Sequence, residues 1–443
     1  MSQHQSLLAT DILVVGAGPA GLAAAQAASD AGRKVTVLDD NPLPGGQIWR
    51  GGSAHAPDAR ARAALAALAH PNTDYRPGTR VIAAPGSNQL LVETPTGGMT
   101  LTYNRLILAG GARERLLPFP GWTLPGVTGA GGLQALVKGG WPIAGKRVVV
   151  AGSGPLLLAV AATLKARGAK VLRIAEQAPP AALRRFATGL ARFPARLAQA
   201  VRLRLALWDV AYGGDAYVEE ALGDASLHAV RLRIGAQSRT LEADYLACGY
   251  GLVPNLELAQ ALACPLATGP DGGPAVAVDR YQLTGVPDVF AAGELTGIGG
   301  VDKAVLEGRI AGLAAVGRLA GAEALLPARE RSQAFARALA ELGRLRPELN
   351  TLARPETLVC RCEDVSHGEL AGLGSWREAK LLTRCGMGAC QGRTCGVACA
   401  TLFGWERPGQ RPPLQPASLA TLATACFPSP DRQPTPRPLS TTR

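Results

Sequence analysis

Short apolar runs alternate with Ala-rich helical stretches along the chain, as expected for parallel strands covered by helices. An apolar run at residues 12–15 precedes a helical stretch at 22–31 and a second run at 34–38. The same order returns within residues 146–176, and the apolar run at 245–255 resembles the strand that closes such a unit. The pattern therefore predicts two Rossmann-like units.

The first unit carries the residues that a dinucleotide requires. Gly16, Gly18 and Gly21 form G-x-G-x-x-G between strand and helix, and Asp39 ends the next strand. The first glycine allows a tight turn, the second lets the backbone approach a pyrophosphate, and the third lets the helix pack on the strand. The helix N-terminus stabilises the phosphate charge, and the acid accepts the ribose hydroxyls.

The second unit repeats the motif with one change. Gly152 and Gly154 occupy the turn and Glu176 ends the strand, but Leu157 replaces the third glycine. That replacement disfavours close helix–strand packing. A functional NAD site and a structural relic both stay open. No Arg follows Glu176 directly, which favours NAD over NADP.

Composition and charge exclude several classes of protein. Hydrophobic residues make up 47% and charged residues 18% of the 443 residues, which excludes a disordered or fibrous chain. The net charge of +12 comes mainly from scattered Arg, so we expect no nucleic-acid binding and instead a basic face toward an acidic partner. No membrane span is expected, and the N-terminus lacks a secretory pattern, which predicts a cytoplasmic protein.

Six of the nine cysteines lie between Cys360 and Cys399. In a reducing compartment such a cluster indicates a metal rather than disulfides. Soft thiolates at short spacing suit an iron–sulfur cluster or zinc, and the residues alone leave both open. No His lies among the closing cysteines, so a Cys2His2 finger is not expected.

Two further apolar runs, at residues 103–111 and 288–300, end in small residues. Together with the first glycine motif they resemble the FAD-binding two-dinucleotide-domain flavoproteins. The resemblance implies that FAD contacts residues from several segments. These are Gly16, Gly18, Pro19, Ala20, Gly21, Asp39, Gly46, Gln47, Val81, Ala109, Gly110, Gly293 and Glu294, with Gly152 and Gly154 as the nucleotide contacts of the second unit.

The cysteine pattern C-x-C … G-x-G-x-C-x4-C is similar to the small domain of bacterioferritin-associated ferredoxin. That resemblance implies a cluster, with 2Fe–2S expected, held by Cys360, Cys362, Cys390 and Cys395. Cys385 and Cys399 are expected to be buried structural residues, with ligation of the metal as the alternative. The closing C-x4-C, in place of C-x2-C, leaves the nuclearity open.

Residues 45–50, 111–132, 297–308 and 384–395 resemble one group, the FAD-containing α-type subunits of multi-subunit flavin dehydrogenases. Members include hydrogen cyanide synthase, opine oxidase, D-hydroxyproline dehydrogenase and heterotetrameric sarcosine oxidase. The resemblance implies electron transfer from a D-amino-acid-oxidase-like FAD β subunit, with a small ferredoxin-like subunit as a further candidate partner. The resemblance also implies three further candidates: FMN at a subunit interface, bound NAD or ATP, and a membrane-associated electron acceptor.

The alternative function is a self-sufficient NAD(P)H:acceptor oxidoreductase, with hydride entering at the second unit. The loop at residues 40–51 contains no Cys, which argues against a disulfide reductase. No residue of this chain is assigned a catalytic role.

The predicted fold is α/β, with two dinucleotide-binding domains, the second inserted in the first, and a small C-terminal iron–sulfur domain. The expected boundaries are a FAD-binding part at 1–112, an inserted NAD-like domain at 113–277, the rest of the FAD domain at 278–322, a helical linker at 323–352, a Cys-rich domain at 353–405, and a Pro-rich extended or disordered tail at 406–443.

Overall fold

The computed structural model describes residues 8–50, 59–406, 409 and 411–426. The N-terminal part builds a mixed sheet with helices beside it. Its elements are, in chain order, β1 (Leu8–Val15), α1 (Pro19–Ser29), β2 (Val35–Leu38), α2 (Ala59–Ala66), β3 (Thr73–Arg76), β4 (Arg80–Gly86), β5 (Gln89–Thr94) and β6 (Gly97–Leu108).

This first sheet has the order β3-β2-β1-β6-β5-β4. β1 is central and pairs in parallel with β2 and β6, with Leu13 opposite Thr36 and Leu106. β4, β5 and β6 pair in antiparallel fashion. β1 and β2 are short and largely buried, as expected for strands covered on both faces.

The following residues build a second, five-stranded parallel sheet and a three-stranded antiparallel one. Their elements are β7 (Ala112–Glu114), β8 (Val127–Gly129), α3 (Ala130–Lys138), β9 (Arg147–Gly152), α4 (Leu156–Ala166), β10 (Lys170–Glu176), α5 (Pro180–Gly189), α6 (Pro194–Ala206), β11 (Ala211–Gly213), β12 (Ala216–Gly223), β13 (Leu227–Ile234), β14 (Gln237–Glu242), β15 (Tyr245–Gly249) and β16 (Leu252–Pro254). The order β11-β10-β9-β15-β8 places β15 beside β9.

The chain then returns to the first sheet. The elements are α7 (Glu257–Ala261), β17 (Leu266–Thr268), β18 (Pro274–Val276), β19 (Val289–Ala291), α8 (Val301–Ala315), α9 (Leu319–Glu323) and α10 (Leu326–Leu342). β19 pairs in parallel with β6, with Val289 opposite Leu106. α8 packs on α1 so closely that a Cβ on Gly308 would lie 2.1 Å from the Ala20 carbonyl oxygen.

The Cys-rich part folds around its own small core. It contains β20 (Leu358–Cys360), β21 (Val365–Ser366), α11 (His367–Leu370), α12 (Trp376–Thr383) and α13 (Cys395–Phe403). Trp376 lies beneath the cysteine loop, and a Cβ on Gly386 would lie 2.5 Å from its ring. The core therefore includes four of the cysteines, Cys360, Cys385, Cys395 and Cys399, beside apolar residues.

The described part of the tail packs on the first sheet and contains a helix that the sequence did not predict. Residues 407–408, 410 and 427–443 lie outside the described residues. Leu414 is buried, and its N–H donates to the Ile82 carbonyl of β4 over 2.7 Å. A last helix, α14 (Leu419–Cys426), lies on β6 and β5. Thr421, fully buried, and Ser418 anchor it to Glu93.

The predicted α/β class with two Rossmann-like units and a C-terminal cysteine cluster is confirmed. The second sheet comes from residues between β6 and β19, two strands of the first sheet. Within the described ranges, no helix has the length and apolar character needed to cross a membrane.

Candidate cofactor sites

The first glycine motif lies where β1 meets α1, against the end of β6. Gly16 has φ +108°, and a Cβ there would lie 2.4 Å from the Ala109 carbonyl oxygen. A Cβ on Gly21 would lie 1.8 Å from the Gly16 carbonyl oxygen. A Cβ on Gly18 would meet nothing nearer than 4.0 Å. Neighbouring backbone atoms therefore leave no room for a side chain at positions 16 and 21, whereas a side chain at position 18 would have room.

Asp39 ends β2 and ties the strand end to this turn. Its carboxylate accepts hydrogen bonds from the Ala17 N–H at 2.6 Å and the Asn41 N–H at 2.8 Å. The side chain is only 6% exposed. These bonds fix the acid beside the glycine turn, at the position where a ribose would lie.

The loop after β2 lies over the open glycine. Gly46 has φ +57°, and a Cβ there would lie 3.1 Å from the Gly18 Cα. The Gly45 N–H donates to the Ala17 carbonyl over 2.8 Å. Gln47 is exposed, and its side chain accepts a hydrogen bond from Arg50. Loop and turn together form a narrow backbone-lined cradle that suits a pyrophosphate.

Gly110 lies beside the turn, since a Cβ on Gly16 would lie 3.5 Å from the Gly110 nitrogen. Val81 is buried in β4 within the apolar cluster that also contains Leu38. Gly110 follows β6, and its carbonyl accepts a hydrogen bond from the Asn255 side chain at 2.9 Å. Pro19 and Ala20 begin α1 and are buried.

The segment after β19 closes the first site. Gly293 has φ +79°, and a Cβ there would lie 2.9 Å from the Ala20 Cβ. Both carboxylate oxygens of Glu294 accept backbone N–H groups, from Gly299 at 2.8 Å and Gly300 at 2.9 Å. Burial raises the pKa of Glu294. The acid thus holds the loop that begins α8.

A buried ion network under this segment was not predicted from the sequence. The Lys303 ammonium is 3% exposed and donates to the Gly293 carbonyl, the Thr296 hydroxyl and Glu307, all within 2.8 Å. Glu307 is fully buried and also accepts from Arg329 at 3.3 Å. The signal was present, because Lys303 and Glu307 stand four residues apart on a helix, a spacing that brings the two side chains together.

The second glycine motif has the same geometry with one substitution. Gly154 and Ala178 donate backbone hydrogen bonds of 2.6 Å and 3.0 Å to Glu176, and burial raises the pKa of that carboxyl to about 7. Gly152 has φ +142°, and a Cβ there would lie 2.1 Å from the Gly249 carbonyl oxygen. Leu157, at the third motif position, is fully buried in the core of this unit.

The linker after α10 covers the second motif. The Gln177 amide is buried and donates to the Ser153 hydroxyl at 3.2 Å and the Arg344 carbonyl at 3.0 Å. Its carbonyl oxygen accepts the Arg346 N–H at 3.0 Å. We call residues 343–346 the strap. It lies against the glycine turn and the residue that follows the acid, which is the adenosine side of a Rossmann site.

Six cysteines gather in the C-terminal part. The sulfurs of Cys360, Cys385 and Cys395 all lie within 4.8 Å of one another and are buried. Cys390, half-buried, contacts both Cys395 and the exposed Cys362. The four predicted ligands are therefore neighbours. Cys385 lies inside the group, which the sequence spacing did not reveal.

The neighbouring thiols shift one another's pKa in opposite directions. Hydrogen bonds from Cys385 and Cys395 lower the pKa of Cys360 to about 2, and one from Cys395 lowers that of Cys390 to about 4. The pKa of Cys395 is raised by its neighbours Cys360 and Cys385. Crowded thiolates of this kind need a cation to replace their protons, and the sulfur donor set fits iron or zinc.

The fold and the first cradle define a flavin-dependent oxidoreductase of the two-dinucleotide-domain class. The chain belongs to the pyridine nucleotide-disulphide oxidoreductase family, whose model matches residues 10–308. The family supports FAD as the cofactor.

Two named proteins are similar to this chain over most of its length. The chain is 35% identical to an opine oxidase subunit of Rhizobium meliloti (strain 1021), over 93% of this chain and 98% of that protein. It is 31% identical to the hydrogen cyanide synthase subunit HcnB of Pseudomonas aeruginosa, over 91% of this chain and 96% of that protein. Both relatives are named as subunits, one of an oxidase and one of a synthase.

Among solved structures, L-proline dehydrogenase from P. horikoshii has the same fold. The TM-score is 0.67 at 18% identity, with 95% of this chain and 81% of that chain covered.

Proposed function

We propose that the chain is the electron-transfer flavoprotein subunit of a heteromeric amine or imino-acid dehydrogenase or oxidase. Its substrate class is of the glycine, opine, hydroxyproline or sarcosine type. A separate D-amino-acid-oxidase-like FAD subunit oxidises the substrate, and this chain passes the electrons onward to an acceptor. The observation that carries the proposal is the gathering of six cysteines in the same chain that folds around a dinucleotide cradle.

FAD is the group we assign to the first cradle. Four segments converge there: the glycine turn, Asp39, the Gly46 loop and the Gly293 turn. The open face of Gly18 allows the backbone to approach a pyrophosphate, and the N-terminus of α1 stabilises its charge. Bound FAD supplies two-electron acceptance and one-electron donation.

A 2Fe–2S cluster is the group we assign to Cys360, Cys362, Cys390 and Cys395. Four thiolates complete the coordination of its two irons. The exposed position of Cys362 leaves one side of the cluster near solvent, where an external acceptor can approach. FMN at a subunit interface, NAD or ATP, a small ferredoxin-like partner and the cytoplasmic location stay predictions.

The alternative is an NAD(P)H:acceptor oxidoreductase, and the strap argues against it. Gln177, Ser153 and the backbone of residues 343–346 satisfy one another where the adenosine of a dinucleotide would bind. A dinucleotide would have to displace these bonds. We therefore assign no hydride entry to the second unit.

The test is purification of the chain from its native expression context with its bound partners. Co-purification in constant ratio of a second flavoprotein that bleaches on adding one of the proposed amines supports the proposal. A chain that is isolated alone and reduces acceptors rapidly with NADH would overturn it. Iron, acid-labile sulfide and released FAD are measured on the same sample.

A further inference from the structure

A run of side-chain contacts joins the first cradle to the cysteine loop. The Gly110 carbonyl, at the end of β6, accepts the Asn255 side-chain N–H at 2.9 Å. The Asn255 side-chain oxygen accepts from the Arg113 guanidinium at 2.8 Å. The same guanidinium donates to the Arg393 carbonyl at 3.1 Å. Arg393 lies between Cys390 and Cys395, so two side chains connect the two candidate cofactor sites.

A buried carboxylate fixes this run. Glu257, at the start of α7, is 7% exposed and lies 3.0 Å from Arg113 and 3.9 Å from Arg393. One acid thus pairs with two guanidinium groups that are themselves only about one-fifth exposed. Water screens such a partly desolvated pair less than a surface ion pair, so the attraction between its charges is stronger.

The cysteine loop has a second anchor on the same side. Arg393 donates to the Leu414 carbonyl at 2.6 Å, and Leu414 in turn bonds to β4 of the first sheet. The backbone of the loop that carries Cys390 and Cys395 is therefore held by Arg113, and the Arg393 side chain connects the loop through Leu414 to the first sheet. Together these contacts hold the cysteine loop at a fixed distance from the first cradle.

We infer that Arg113 and Glu257 are positioning residues that set the distance for electron transfer between flavin and cluster. The inference rests on the proposed function. When both groups are bound, one electron leaves the reduced flavin, which is oxidised by one electron, and converts one ferric ion of the cluster to ferrous. The second flavin electron follows after an external one-electron acceptor has reoxidised the cluster. Small displacements of reacting groups cost large factors in rate.

The experiment compares Arg113→Met, Glu257→Gln and Arg354→Met in the full chain. Met keeps much of the apolar stem of Arg and removes the guanidinium. Arg354 is the matched control, because it also joins two segments, through an exposed ion pair with Glu220. Flavin is reduced with a light flash and a deazaflavin donor, and cluster bleaching is followed in time. FAD, iron and both reduction potentials are measured for each variant.

We expect Arg113→Met to keep both groups and both potentials, and to slow cluster reduction at least tenfold relative to Arg354→Met. Glu257→Gln should slow cluster reduction less than Arg113→Met does. Arg113→Lys keeps a positive charge beside Glu257, so its rate should lie between those of the wild type and Arg113→Met. A rate within twofold of the control, with both groups bound, would overturn the inference and leave the proposed function intact.

Loss of the cluster from Arg113→Met would give that residue a structural role and also overturn the inference. Asn255→Ala is the second variant, because it breaks the link to Gly110 and leaves the Arg113–Arg393 bond. An unchanged rate in this variant, with both groups bound, counts against the inference in the same way. A wild-type chain that lacks flavin or cluster after native purification would instead overturn the proposed function.

Discussion

The Cα of Gly21 lies so near the carbonyl of Gly16 that a side chain at position 21 would have its Cβ 1.8 Å from the Gly16 oxygen. A Cβ at position 18, three residues earlier, would meet nothing nearer than the Gly46 Cα at 4.0 Å. Two glycines of one motif thus serve different purposes: Gly21 allows α1 to pack on β1, and Gly18 allows a ligand to approach.

This difference predicts opposite behaviour for two variants. Gly18→Val should fold normally and lose FAD, because its branched side chain fills the phosphate approach. Gly21→Val should lower the free energy of unfolding by about 3 kcal/mol through overpacking. Urea unfolding and flavin release by denaturation separate the two effects. Full FAD content in folded Gly18→Val would contradict the cofactor assignment.

Six single Cys→Ser variants test the ligand set. Iron and sulfide per chain should fall strongly in Cys360→Ser, Cys362→Ser, Cys390→Ser and Cys395→Ser, and stay unchanged in Cys385→Ser and Cys399→Ser. Cys264→Ser, distant in the first unit, is the control. If Cys385→Ser loses the cluster while Cys362→Ser keeps it, Cys385 is the ligand and the assignment from spacing is wrong. If the chain binds zinc even when it is expressed with ample iron, the Cys-rich part does not transfer electrons and the proposal for it is wrong.

The strap predicts that NADH does not reduce the flavin of the isolated chain. Excess NADH under anaerobic conditions should leave the flavin absorbance unchanged for minutes. Full bleaching within seconds would favour the reductase alternative.

A substitution outside the glycine motif can also weaken the attachment of the strap. Arg346 anchors it through an ion pair with Asp215 at 2.8 Å and a cation–π contact with Tyr217. We expect Arg346→Ala to bind NAD at least tenfold more tightly than Arg344→Ala, whose side chain is exposed, when both are loaded with FAD and titrated calorimetrically. Equal affinities would mean that the strap does not exclude the nucleotide.

The buried ion pair under the first cradle predicts a large stability effect. Lys303→Met leaves the fully buried Glu307 without its nearest cation, and should lower the free energy of unfolding by about 3 to 5 kcal/mol. Lys165→Met removes a partly exposed pair with Asp209 and is the comparison, with a much smaller effect. Similar losses in both variants would show that burial of the pair is not what matters.

Glu176 predicts a pH dependence. Burial raises its folded-state pKa to about 7 from an ordinary 4.5, so the unfolded chain loses this proton first. The free energy of unfolding therefore falls as pH rises from about 4.5 to 7, by on the order of 3 kcal/mol. Above pH 7 the effect of Glu176 on the free energy of unfolding no longer changes with pH. Glu176→Gln should flatten this part of the stability curve. An unchanged slope between pH 5 and 7 would disprove the link.

The sequence predicted features that depend on local spacing. The glycine turns, their strand-end acids and the order of strands around them follow from residues close in the chain, since each motif residue has a fixed place in one strand–turn–helix unit. The proximity of the cysteines also followed from a known spacing, with the exception of Cys385. Its sulfur joins Cys360 and Cys395 only because α12 and the turn after it return the chain to β20.

Long-range contacts escaped prediction. Gln177 meets Arg346 across 169 residues, and Arg113 meets Arg393 across 280. Polar residues of this kind have no periodic signature, because one side chain bonded to a distant backbone leaves no pattern in either segment. The helix α14 was missed because the Pro-rich residues before it dominate the composition of the tail.

β4 is an end strand of the first sheet, and its unpaired backbone would be free to join a strand of another molecule. The segment around Leu414 occupies part of that edge, and Ser418 and Thr421 hold the following helix on Glu93. A chain shortened before Leu414 would uncover the edge while keeping both nucleotide-binding units and all six clustered cysteines. We expect such a chain to self-associate through this edge and to keep its cofactor sites.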